Sequence, residues 1–152
     1  MPVRAPESAE MDAVYMMGYD VWGDGDDIDT HLNDCRHSAK YAAGEWFVWD
    51  LGGEPVASLI VFRDGYQLAE QCYGIGAVAT EPGHRRQGYA SALVQAVVNV
   101  LAQRQAKAIF LHCDIEFDFY RRLGFELQVA DSRCMMLAVE PGFQCLRLPD
   151  YF

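Results

Sequence analysis

The sequence predicts a mixed α/β protein folded as one domain over residues 1–152. Three observations lead there. Apolar residues recur at helical spacing over 8–22 and again from Tyr89 to about Arg104. Short runs such as "EWFVWDL" (45–51) and "KAIFLHC" (107–113) have the length and the β-branched or aromatic content of strands. The chain's 152 residues, 51% hydrophobic and 22% charged, are enough for one core and argue against disorder.

Taken in order, "VRAP" (3–6) is an extended start. A helix over 8–22 has Ser8 as its N-cap and Ala9, Val14, Met17 and Val21 at roughly helical spacing. "GDGDD" (23–27) breaks it, and a second helix covers 28–42, ending near Gly44. "GGEP" (52–55) then turns strand 45–51 into strand 56–63. The next strand, 69–80, contains Gly74 and Gly76, and glycine inside a strand marks a bulge or a close approach. Loop 81–88 leads to a helix with Ala90, Leu93, Val94, Val97 and Leu101 on one face. Strand 107–113 follows, then a short helix stopped by Gly124, then strands 125–129 and 133–140.

Composition excludes several functions. The apolar run "ASLIVF" (57–62) is too short to cross a bilayer, and "MPVRAPESAE" lacks the pattern of a signal peptide, so a cytoplasmic protein without membrane contact is expected. Five scattered cysteines without a CxxC pair read as buried free thiols. His31, Cys35 and His37 read as a solvated helix face and not as a metal site. Residues 1–76 hold 14 acids and 4 bases, and residues 77–152 hold 8 of each. That balance disfavours nucleic acid as a partner. It suits a cationic partner, and equally a protein kept soluble by its charge.

One stretch runs against the acidic background. "TEPGHRRQGYASAL" (80–93) places two arginines at a helix start, where the helix dipole disfavours cations. Gly83 to Gly88 has half of the phosphate-loop spacing, but Tyr89 and Ala90 stand where that loop needs its lysine and hydroxyl. What remains is a helix N-terminus with free amides, a bare Gly88, a small Ala90 and the charges of Arg85 and Arg86. Those features suit a diphosphate bound without a metal.

These residues resemble the acetyl-CoA signature of the GNAT superfamily of N-acetyltransferases, whose R-x-x-G-x-A core is here Arg85, Gly88 and Ala90. "FYRRLGF" (119–125) resembles the family's second signature, in the right order and at a matching distance. The resemblance implies a mostly antiparallel central sheet, splayed at the cofactor site and flanked by helices. It implies transfer of an acetyl group from acetyl-CoA to a primary amine by direct attack. Val78, Ala79 and Thr80 would pair with the pantetheine arm, the Val78 amide polarising the thioester carbonyl. Arg85, with the amides of Arg86, Gln87, Gly88, Tyr89 and Ala90, would hold the pyrophosphate. Tyr120 would protonate the departing thiolate. The acceptor would enter beside Trp22, Asp24, Asp26 and Asp27.

The chain also departs from the family's pattern. Cys113, followed by Asp114, stands where members often carry asparagine, and Gly74 stands where some place a carboxylate base. Glu70, Tyr73 or an acid of the 24–29 loop is left as the base. Two other functions fit the same signatures, an acyl-CoA sensor without turnover and an acetyltransferase acting on a protein lysine or N-terminus. The aromatics of the tail, 141–152, either pack on the core or complete a homodimer.

Overall fold

Gly52 and Gly53 take φ of 62° and 95°, the left-handed pair that a two-residue turn between antiparallel strands requires. They join β2 (Glu45–Leu51) to β3 (Glu54–Phe62), and the Asp50 carboxylate accepts a hydrogen bond from the Gly53 amide at 2.7 Å. The turn is tighter than the sequence predicts, because Glu54 and Pro55 already belong to the strand.

The computed structural model describes residues 2–145 and 147–152. Before the hairpin lie β1 (Val3–Arg4), α1 (Met11–Met16), α2 (Tyr19–Trp22), α3 (Ile28–Arg36) and α4 (Ala39–Ala43). After it come β4 (Cys72–Thr80), α5 (Tyr89–Gln103), β5 (Ala108–His112), α6 (Phe117–Arg121), β6 (Glu126–Leu127) and β7 (Cys134–Ala138). The described strands form one sheet, ordered β1-β2-β3-β4-β5-β7-β6. β1 with β2, β5 with β7 and β6 with β7 run antiparallel. β4 and β5 are parallel, and α5 supplies the crossover that a parallel pair needs. This is the mostly antiparallel, helix-flanked sheet expected from the sequence. The β4–β5 register runs from Cys72↔Ala108 to Ile75↔Leu111, and β4 continues beyond it to Thr80.

The backbone clusters into two compact units, residues 1–60 with 77–94 and residues 61–76 with 95–152. In the first, both predicted helices are broken. The 8–22 helix becomes a 3-10 turn, Ser8–Glu10, followed by α1 and α2. Glu7 is the N-cap in place of Ser8, in a reciprocal capping box with Glu10. The second break falls at Gly18, where a Cβ would overlap the Trp22 ring. The 28–42 helix divides because Ser38 starts a new one, its side chain accepting from the Tyr41 amide at 3.2 Å. Arg4 ties the unit's edge together, donating to Glu10 at 2.7 Å and to Asp50 at 2.8 Å. Val14, Met17, Val48, Leu59, Leu93 and Val94 form its buried interior. His31 and Cys35 are buried as well, which overturns their reading as a solvated face. Their shared i, i+4 side of α3 turns inward, and His31 lies against the Tyr19 ring at 5.0 Å.

The second unit is built on Phe62, Ile75, Leu101, Phe110, Phe125 and Met135, all fully buried. The five cysteines are free thiols, and four of them are buried. The tail packs on this core. Phe152 is 6% exposed, its ring 6.2 Å from Phe62 and 5.8 Å from Tyr66, and the Asp150 amide donates to the Tyr66 carbonyl at 2.8 Å. Leu146, within the same tail, lies outside the described residues. Phe152 also explains a glycine in the strand. A Cβ on Gly74 would overlap its ring, so of the two meanings expected for strand glycine, Gly74 marks a close approach. Gly74→Ala should therefore overpack the site and cost ~1–3 kcal/mol, lowering Tm by several degrees. A thermal melt indistinguishable from wild type would show that the ring is not held against this strand.

Candidate functional site

β4 changes character along its length. Cys72–Ile75 are buried, whereas Gly76–Thr80 are half-buried. The change coincides with Ala77, whose φ is +50°. A left-handed residue in a strand disrupts its ladder and leaves neighbouring backbone groups open to other partners. Ala77, beside Val78, is thus the residue at which β4 departs from regular strand geometry.

The loop after β4 is held from within. The Glu81 amide donates to the Val56 carbonyl at 2.8 Å. The Glu81 carboxylate accepts from His84 Nδ1 at 2.6 Å and from the Gly83 amide at 3.0 Å. Those bonds, His84 foremost, hold its carboxyl below the usual range. Arg86 and Gly88 then take φ of 64° and 85°, the left-handed backbone conformation from which anion-binding nests of successive amides are built. The first helical bond into α5 runs from the Ala92 amide to the Gly88 carbonyl at 3.0 Å. The amides of Tyr89, Ala90 and Ser91 precede it and have no earlier turn to bond. A Cβ on Gly88 would meet nothing within 4 Å, so open space lies over the nest.

Arg85 turns elsewhere. Its guanidinium donates to the two Asp20 oxygens at 2.6 and 2.8 Å, to the Thr80 carbonyl at 3.0 Å and to the Met17 carbonyl at 3.2 Å. The Arg85 hydrogen bond also lowers the Asp20 pKa. Arg85 is therefore a brace between the loop and the α1–α2 segment, and it occupies the Thr80 carbonyl. Arg86, exposed beside it, is the positive charge that faces solvent at the nest.

A narrow cleft in the first unit is lined by Trp22, His31, Tyr41 and Trp46, with Ala77 and Ala79 from the half-buried end of β4. Its free interior is about 10 Å³, room for roughly one water. Of the residues expected on an acceptor wall, Trp22 lines it. Asp24, Asp26 and Asp27 are not among the lining residues. Asp24 has φ of 51° in the turn, and the Asp26 carbonyl accepts from the Tyr19 hydroxyl at 2.5 Å. Asp27 caps α3 by accepting from the Thr30 amide at 2.7 Å, a bond that lowers its pKa. This loop builds a turn and a cap.

In the second unit, Tyr120 is 6% exposed on α6. Its ring meets Phe119 and Phe125 edge-on at 4.9 and 6.0 Å. Gly124, with φ of 99°, lets the chain reverse so that the Phe125 amide donates to the Tyr120 carbonyl at 3.0 Å. Burial, helped by Cys113 and Asp114, pushes the phenol pKa up. Arg133 braces the turn where the family often has asparagine, donating to the carbonyls of Cys113 and Ile115. Of the bases left open by the sequence, Glu70 is exposed and Tyr73 is buried, and neither lines the cleft.

The model of the acetyltransferase (GNAT) family matches residues 9–125. The chain belongs to that family. No curated protein matches the sequence, but solved GNAT structures share its fold. A GNAT family acetyltransferase from Brucella melitensis, in complex with acetyl-CoA, is 19% identical over 93% of this chain and 90% of its own, with a TM-score of 0.67. The ribosomal-protein-S18-alanine N-acetyltransferase of Escherichia coli is 17% identical over 96% and 98%, with a TM-score of 0.66. The PaiA N-acetyltransferase of Thermoplasma acidophilum, in complex with coenzyme A, is 8% identical over 90% and 97%, with a TM-score of 0.66.

Three residues of this GNAT chain have tertiary roles that the sequence alone does not reveal. Asp20 is 65 residues from Arg85, and no local pattern connects them. His31 carries a signal, its i, i+4 spacing with Cys35, which marks a shared side of α3 without saying that it faces inward. Phe152 was signalled by Gly74 alone, which asks for a close neighbour without saying which.

Proposed function

We propose that the chain is a single-domain cytoplasmic N-acetyltransferase that moves the acetyl group of acetyl-CoA to a primary amine by direct attack. One observation carries the reading. In a GNAT chain, the left-handed residues Arg86 and Gly88 open α5 at the end of the loop that follows β4, whose last half carries the left-handed Ala77. The amides of Arg86 to Ala90 would hold the pyrophosphate, with Arg86 as the nearby charge and Arg85 setting the loop. The backbone of Val78 and Ala79, and the amide of Thr80, would take the pantetheine arm, with the Val78 amide toward the thioester oxygen. Tyr120 would return a proton to the departing sulfur. GNAT neighbours that hold acetyl-CoA or coenzyme A support the same donor for this chain.

Calorimetry with acetyl-CoA tests the first half. The expected affinity is micromolar, roughly −8 kcal/mol. Mass spectrometry of amines and peptides incubated with enzyme and acetyl-CoA tests the second, by a mass gain of one acetyl group. Binding without transfer to any amine or peptide would make the chain a sensor. Absence of binding would remove the acetyltransferase reading altogether.

A further inference from the structure

Resting on the acetyltransferase reading, we propose that His31 is the general base for the acceptor, and that the acceptor is a primary amine on an apolar or aromatic body. His31 is 8% exposed and lines the cleft that includes Ala77 and Ala79, the two neighbours of Val78. Its Nε2 lies 2.9 Å from the Tyr15 carbonyl oxygen. A carbonyl can only accept, so in the neutral ring the proton sits on Nε2 and the lone pair on Nδ1. The Cys35 sulfur, 3.6 Å from the same Nε2, is on that side of the ring too. Among the described residues no buried side-chain nitrogen lacks a hydrogen-bond partner. Nδ1, which makes no such bond, is therefore the ring atom open to the cleft.

The titratable groups around the ring are Tyr15 on α1, Tyr19 on α2, Cys35 on α3 itself and Tyr41 on α4. None of these residue types is charged near neutral pH. Imidazole is the side chain suited to exchanging a proton there. The lining is otherwise aromatic, small or apolar, without a carboxylate. With room for roughly one water inside, the cleft admits the amine end alone, and its apolar lining favours an apolar body over a polycation next to it.

The step balances as follows in atoms and charge. The acceptor ammonium gives one proton to Nδ1, leaving a neutral amine and an imidazolium. The amine lone pair forms a bond to the acetyl carbonyl carbon, and the carbon–sulfur bond breaks as the adduct collapses. Sulfur takes up, by way of solvent, the proton that the new amide nitrogen loses, and the imidazolium releases its own proton to solvent. One ammonium and one thioester become one amide, one thiol and one free proton.

His31→Gln tests the assignment, because a glutamine amide can still donate to the Tyr15 carbonyl while the Nδ1 lone pair is lost. Acetylation of phenethylamine and of spermidine is followed from about pH 5.5 to 9, with acetyl-CoA affinity measured alongside. The expected result is preference for phenethylamine, a kcat about 10²-fold lower in the variant, loss of the acidic limb of its kcat/KM profile, where the wild-type rate falls as the base is protonated, and unchanged acetyl-CoA affinity. Long-range ¹H–¹⁵N spectra of the wild-type histidines should show the His31 proton on Nε2, independently of how the variant folds. A proton on Nδ1, a wild-type rate and profile in the variant, or a preference for spermidine overturns the proposal. Wild-type protein that binds acetyl-CoA but acetylates neither amine also overturns it, alone. Wild-type protein that does not bind acetyl-CoA removes the functional reading beneath it.

Discussion

Tyr120→Phe is expected to lower kcat by ~10²–10⁴-fold while acetyl-CoA affinity stays near wild type. The ring contacts with Phe119 and Phe125 at 4.9 and 6.0 Å do not involve the hydroxyl, so phenylalanine preserves the packing of α6. What the variant loses is a proton donor. A thiolate is a better leaving group when it is protonated as charge develops, and its ordinary pKa of about 8.5 lies below the phenol's of about 10. Burial moves the Tyr120 phenol further up, so it is protonated at neutral pH and gives its proton only as negative charge develops on sulfur in the transition state. Single-turnover kinetics separate chemistry from product release and check the result. If the variant reacts at the wild-type rate with chemistry rate-limiting, Tyr120 is a packing residue and the acid lies elsewhere.

Gly88→Asp is expected to abolish measurable acetyl-CoA binding. The space over Gly88 is open, so an aspartate side chain fits without collision, and the fold survives. Its φ of 85° costs a non-glycine residue ~1–2 kcal/mol, less for aspartate than for most. The decisive effect is electrostatic. A carboxylate held where the nest amides converge takes the place of the phosphate and repels the one that arrives. Gly88→Asn adds similar bulk without charge and should weaken binding by a smaller factor. Calorimetry on both variants, with circular dichroism to establish folding, distinguishes the effects. Wild-type affinity in a folded Gly88→Asp protein would place the pyrophosphate away from this loop.

Much of this was legible in the chain. Short β-branched or aromatic runs identified the strands, and a helical apolar pattern identified α5, whose buried Leu93, Val94, Val97 and Leu101 are the residues of its predicted stripe. Gly124 was read as a helix stop and has the left-handed φ, 99°, that the stop uses. Gly88 and the lack of a phosphate-loop lysine identified a bare nest, because a missing side chain is itself a local feature. The errors were local competitions. A serine that could cap, Ser8, lost to the glutamate before it, because Glu7 could bond reciprocally with Glu10. A continuous helical pattern over 8–22 broke where the Trp22 ring needed the space at Gly18.

The sequence by itself determined the sheet's strands, the crossover helix, the loop's bare backbone and the family signatures, all set by residues within a few positions of each other. Tertiary structure alone decided the partners. It assigned Arg85 to Asp20, 65 residues away, turned His31 inward onto the Tyr15 carbonyl, and filled the hollow at Gly74 with Phe152. It also placed the left-handed residue of β4 at Ala77. The physical reason is range. Propensity and periodicity act between neighbours along the chain, whereas a salt bridge, a buried ring or a ladder defect depends on which distant groups the fold brings within a few ångströms.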